Sequence, residues 1–125
     1  MPENVQSPVF QTSDITVLAS AALVGGRFVK ITGNAAEGAI YNATTAGAGE
    51  NAFGIARYSV ASGKRVGVIG TPGRIVKCVA AGTIAANSKV QVGADGKVVV
   101  YSSGVIVGTA LTAGVTSGSI DIKLA

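Results

Sequence analysis

Apolar and polar positions are organised around one local pattern that recurs four times: an apolar residue, two spacers, Gly or Asn, one or two spacers, then apolar-x-apolar. The copies are Leu23-x-x-Gly26-x-x-Val29-x-Ile31, Val60-x-x-Gly63-x-x-Val66-x-Val68, Ile84-x-x-Asn87-x-x-Val90-x-Val92 and Val115-x-x-Gly118-x-Ile120-x-Ile122. Gly and Asn adopt positive φ at least cost, so each copy predicts a tight turn that launches an alternating strand, with the leading apolar residue pinned to the core. Two further echoes are Gly26-Arg27-Phe28-Val29-Lys30 against Gly73-Arg74-Ile75-Val76-Lys77, and Gly54-x-Ala56 against Gly108-x-Ala110, which precede the second and fourth turns. Together they suggest a duplicated unit.

Ala94-Asp95-Gly96-Lys97 before Val98-Val99-Val100-Tyr101 predicts a β-hairpin, because Asp-Gly suits a type I′ turn. Tyr101-Ser102-Ser103-Gly104 is a second turn, leading into Val105-Ile106-Val107. Gly118 to Leu124 alternates cleanly and is expected to close the sheet, whereas Ala43 to Gly49, rich in Ala, Thr and Gly, reads as a loop. No helical stretch is evident. Residues 1–13 lack periodicity and carry Pro2 and Pro8, which reads as an extended arm ahead of a folded body at 14–125. Such an arm is either a frayed end or a strap that clasps a partner.

Composition supports the same fold class. There are 18 Val, 10 Ile and 10 Thr against 4 Leu, with 18 Gly. Branched side chains fit a pleated surface, and straight-chain helix formers are scarce. Turn signals about every 8–12 residues then describe one compact all-β domain, a small barrel or a sandwich.

Histidine is absent, there are six carboxylates, and Cys78 is the single cysteine. Ser-His-Asp and Cys-His catalysis, His or multi-Cys zinc sites and internal disulfides therefore cannot be assembled from one chain. No catalytic residue, metal or cofactor is expected, and Cys78 within Ile75 to Val79 reads as a small buried hydrophobe. The apolar stretches fall short of the roughly 20 residues of a membrane helix. The start, with Glu3 and two prolines but no basic segment, is not that of a secretion signal, so export by that route is not expected.

Net charge is +4, unevenly divided: Arg27 and Lys30 against Glu3, Asp14, Glu37 and Glu50 give residues 1–50 a charge of −2, leaving +6 for residues 51–125. A basic body attracts an acidic partner or nucleic acid through the same long-range field. Six scattered aromatic residues and no Trp offer no base-stacking platform, so nucleic acid is not expected. Arg57, Lys64 and Arg65 form the densest basic group, either a solvated hairpin or a contact for an acidic partner. Gly63-Lys64-Arg65 fails the phosphate-loop pattern, since Tyr58 and Arg65 stand where Gly and Ser or Thr are needed, and Gly47-x-Gly49-x-x-Ala52 has no following helix for a dinucleotide site. Lys97 at a hairpin tip leaves open a lipoyl- or biotinyl-carrier reading. Asn42-Ala43-Thr44 fits the glycosylation rule without a secretion signal to give it meaning.

The β body with its four turn-and-strand units, the Gly54-Ile55-Ala56 step, the Ala81-Gly82-Thr83-Ile84-Ala85-Ala86-Asn87 turn, the Asp95-Gly96-Lys97-Val98 hairpin and the ending Ser117 to Leu124 resemble the capsid decoration, or cement, proteins of tailed bacteriophages. The resemblance runs over nearly the whole of residues 14–125, with Asn87 where relatives often have Gly. It implies a non-enzymatic virion protein, made in the bacterial cytoplasm, that binds the outer capsid surface as a homotrimer at local threefold positions and bridges major capsid protein subunits. On that reading the expected contacts are the arm, with Pro2, Asn4, Val5, Pro8, Val9 and Phe10, and the basic set Arg57, Lys64, Arg65, Arg74 and Lys77. A glycan-binding or fibre-associated β module is the alternative, weakened for glycans by the lack of Trp.

Overall fold

The computed structural model describes residues 14–34 and 41–125, so the arm at 1–13 lies outside the described residues. Ten strands follow in order: β1 (Asp14–Ala19), β2 (Phe28–Asn34), β3 (Tyr41–Thr45), β4 (Gly54–Ala56), β5 (Arg65–Ile69), β6 (Ile75–Val79), β7 (Lys89–Val92), β8 (Val98–Val100), β9 (Ile106–Ala110) and β10 (Ser119–Leu124). The all-β expectation holds. The first five strands form a closed barrel in the order β1-β3-β2-β4-β5, and the last five a sheet in the order β6-β10-β9-β7-β8.

These two halves are one pattern built twice. In the barrel Val17 lies opposite Val66 and Thr16 opposite Gly67, while in the sheet Cys78 lies opposite Ile120 and Lys77 opposite Asp121. Val29 opposite Gly54 recurs as Val90 opposite Gly108, and Ile31 opposite Ala43 as Val92 opposite Val98. The parallel β1–β3 pair that closes the barrel recurs as one parallel bridge, Ala80 to Val98, where the edges of the sheet meet. Even the next bond is repeated: the Ser20 N–H donates to Ala43 O at 3.0 Å and the Ala81 N–H to Val98 O at 2.8 Å. The second half is thus the same barrel with a nearly open seam.

Each half contains two turn-and-strand units locked to each other. Leu23 and Val60 exchange backbone hydrogen bonds at 2.9 and 3.0 Å, as do Ile84 and Gly114 at 2.9 Å each way. Three residues later come Gly26, Gly63, Asn87 and Ser117, with φ of 79°, 84°, 68° and 65°. Each of these donates its N–H to the carbonyl of a buried alanine in the sister unit: Gly26 to Ala56, Gly63 to Ala19, Asn87 to Ala110 and Ser117 to Ala80, at 2.7 to 2.9 Å. The positive φ turns the donor inward, and alanine is small enough to let the turn reach the strand.

The fourth unit corrects the sequence reading. Its bridging residue is Gly114 and its positive-φ residue is Ser117, so its spacing equals that of the other three units; Val115 and Gly118 are each one position late. Val115 is 65% exposed and pins nothing. A Cβ on Gly114 would run into Ile120 Cγ2, so the space taken elsewhere by Leu23, Val60 or Ile84 is here filled by Ile120.

Two other expectations change. Ala43 to Thr45 is not loop but the end of β3, because pairing with both β1 and β2 supplies the order that Ala and Thr do not signal by themselves, and Ala43 is fully buried. β10 does not close the sheet; it lies inside it, between β6 and β9. The 94–97 hairpin is as expected, with φ positive at both Asp95 and Gly96 and the Lys97 N–H bonded to Ala94 O at 3.2 Å.

The core has two parts. One fills the barrel around Val17, Leu23, Val29, Val66 and Val68. The other fills the second half around Cys78, Ile84, Val90, Val92, Ile120 and Ile122, and it also takes in Phe28 and Ile55, with Ile69 packed against it. Phe28, Ile55 and Ile69 are neighbours in register on the barrel's outer wall, so this row is the face on which the second half is docked. The loop after β3 adds to the joint, with the Gly49 N–H donating to Val92 O at 2.8 Å.

Candidate interaction surface

The expected basic contacts divide between the halves. Arg57 lies opposite Gly67, to whose carbonyl it donates its N–H at 3.0 Å, and Arg65 lies opposite Leu18, so both sit on the outer wall of the barrel. Lys64 occupies the adjoining turn, where its N–H bonds Ala61 O at 3.2 Å. Arg74 and Lys77 belong to the second half. Arg74 follows the Thr71-Pro72-Gly73 turn and immediately precedes β6, while Lys77 faces outward and pairs with Asp121 at 2.8 Å. All five are exposed, and they form two groups on two walls. The six arm residues Pro2, Asn4, Val5, Pro8, Val9 and Phe10 lie outside the described residues.

Two cations join the second group that sequence reading passed over, Lys89 and Lys123. Both lie opposite Thr109, on β7 and β10 respectively. Lys123 also lies opposite Ile75, and the Tyr101 N–H bonds Lys89 O at 2.8 Å. A single row, Ile75-Lys123-Thr109-Lys89, therefore crosses four strands of the sheet and ends at Tyr101, the residue after β8. The clean alternation of 118–124 already placed Lys123 on the face opposite Ile120 and Ile122. What it lacked was the register joining Lys123 to Lys89.

Loops around this body are held by single polar side chains at equivalent positions of β2 and β7. Lys30 Nζ lies 2.8 and 3.0 Å from the Glu50 carboxylate, whose Oε1 also accepts the Gly47 N–H at 2.6 Å. The Lys30 hydrogen bonds, and secondarily the Gly47 amide, hold the Glu50 carboxyl below its ordinary pKa of 4.5. The Gln91 side chain is buried, and its Oε1 accepts three N–H groups, from Ser102, Ser103 and Gly104, at 2.9, 3.1 and 2.9 Å.

Cys78 is 1% exposed, and burial followed by the Asp121 charge pushes its thiol up to about 12, so it behaves as the small buried hydrophobe expected. Lys97 does not stand on a free tip. Gly96 beside it is buried, and a Cβ there would meet Phe28 O, Thr45 and Arg27 of the barrel, so the hairpin is packed down where a swinging carrier lysine needs clearance. Tyr41 lies edge-on to Phe53, with ring centroids 6.4 Å apart, leaving Tyr58 and Tyr101 as the exposed tyrosines.

Fold and surface together define a two-part β body whose distinctive chemistry lies on its walls. No protein-family profile matches the chain, and no curated protein matches it by sequence. Among solved structures it is similar to the N-terminal base of the head fibre protein gp8.5 of bacteriophage phi29, with a TM-score of 0.75 and 17% identity over 90% of this chain and 92% of that one. At that identity the likeness shows a shared fold.

Proposed function

We propose that the protein is a structural component of a tailed-phage virion, a decoration protein that binds the outside of the assembled head and braces it by bridging major capsid protein subunits as a homotrimer. The observation that carries this reading is the agreement in fold, over nine-tenths of the chain, with the base of a phage head fibre. The physical character of the molecule supports it: a closed barrel joined to a second sheet through a common core resists deformation, and three copies acting together turn modest contacts into firm binding. Catalysis has no place in this reading.

The same neighbour favours a second reading, in which the domain is the base of a fibre and anchors it to the head. Light scattering on the purified protein, followed by cosedimentation with heads that lack it, tests the first. A mass of three chains and saturable binding to heads but not to unassembled capsid protein are expected. A monomer that ignores heads overturns it. Electron cryomicroscopy of the loaded heads then separates the two readings, since a base carries a projecting fibre and a decoration protein lies flat.

A further inference from the structure

The internal repeat shows which wall of this barrel is suited to holding a neighbour. On the first barrel the row Phe28, Ile55 and Ile69 is covered by the second half. The equivalent row of the second half is Lys89, Thr109 and Lys123, continued by Ile75, and among the described residues nothing covers it. Ile75 is 62% exposed and Tyr101 39%, with Leu111 at 43% beside the row, next to Asp121. Large apolar side chains flanking two lysines along one hydrogen-bonded row form a different surface from a solvated face, where such residues are scattered singly.

Its charges specify the neighbour. Lys77 is already matched by Asp121, but Lys89 and Lys123 have no ion pair among the described residues. A third barrel of the same kind would bring another apolar row, which two lysines reject by the cost of burying unpaired charge. A protein surface with carboxylates set between apolar residues answers both features, since apolar anchors supply affinity and the lysines supply register and attraction.

We propose that the row Ile75-Lys123-Thr109-Lys89-Tyr101 is the docking face of this protein and that its occupant is an acidic, partly apolar protein surface, which on the functional reading above belongs to the outside of the phage head. The basic wall at Arg57 and Arg65 is secondary, because the row of Arg57 continues through Gly67 and Thr16 with no apolar anchor and the row of Arg65 offers the half-buried Leu18 alone.

Charge reversal separates the two walls. The Lys89→Glu/Lys123→Glu variant is expected to lose head binding by about tenfold or more and to lose its salt dependence, while Arg57→Glu/Arg65→Glu changes binding less than about threefold. Carbodiimide treatment of loaded heads should join Lys89 or Lys123 to a carboxylate of the shell. Wild-type protein that binds heads, with the two variants ranked the other way, overturns the face and leaves the function standing. Wild-type protein that ignores heads overturns the function, and the face is then decided by an NMR titration of the free protein with a glutamate-rich peptide containing leucine. Shifts centred on residues 75, 89, 101, 109 and 123 support it; shifts at 57 and 65, or none, overturn it. Concentration-dependent self-association that Lys89→Glu/Lys123→Glu abolishes would make a second copy the occupant and overturn the acidic partner.

Discussion

At the scale of single residues, the four positive-φ positions carry unequal strain. Gly26 and Gly63 adopt the left-handed region freely, Asn87 at small cost, and Ser117 at roughly 1 kcal/mol. Ser117→Gly is therefore expected to raise stability by about 0.5–1 kcal/mol, against a smaller change for Asn87→Gly, as measured by urea denaturation. Gly114→Ala forces a methyl group against Ile120 Cγ2 and should cost about 1–3 kcal/mol, but much less in an Ile120→Ala background where that atom is gone. Gln91→Leu strips three amides of their acceptor and should cost about 2–3 kcal/mol, whereas Gln91→Glu keeps the acceptor and costs less. Glu50 gives a pH dependence. Its folded-state pKa is lowered, so its contribution is present above the ordinary value of 4.5 and is lost as pH falls through the folded value; Glu50→Gln should remove that part of the acid slope. Much of this was readable, since Gly, Asn and apolar spacing gave the first three turns. The fourth was misplaced by one residue because Val115 and Gly118 are the stronger letters, while Gly114 and Ser117 act through their contacts with Ile84, Ile120 and Ala80.

At the scale of elements, strands with Val and Ile alternation were legible, and so was the Asp95-Gly96 turn. β3 was not, because Tyr41-Asn42-Ala43-Thr44-Thr45 carries little apolar signal and owes its order to being held on both sides. The 94–97 turn illustrates a second limit. Its type followed from two residues, yet its packing against Phe28 O and Thr45 depends on the other half of the molecule. Gly96→Ala is expected to destabilise by about 2 kcal/mol or more, combining a positive φ with a collision against backbone, while Asp95→Asn, which tolerates the same conformation, should be close to neutral by thermal unfolding.

At the scale of the whole molecule, Phe28 is the largest fully buried side chain of the joint that it forms with Ile55, Ile69 and the loop after β3. Phe28→Ala should cost about 3–5 kcal/mol and convert a single unfolding transition into two, because the shared core holds the halves to one cooperative unit. Cys78 offers a reporter that needs no label. Its buried, undissociated thiol should react with a disulfide reagent only as fast as the second half opens, and Phe28→Ala should accelerate that reaction.

The sequence by itself determined the fold class, the turn chemistry, three of the four units and the exclusion of histidine- and disulfide-based chemistry, because these follow from residue type and local spacing. Only the tertiary structure decided that the units pair into a closed barrel and a sheet of equivalent register, that Phe28, Ile55 and Ile69 face outward into a shared core, and that Lys89 and Lys123 stand in one row with Ile75 and Tyr101. A period of two assigns a side chain to one of two faces; which face meets water depends on what packs against it, and that is settled by register between strands far apart in the chain.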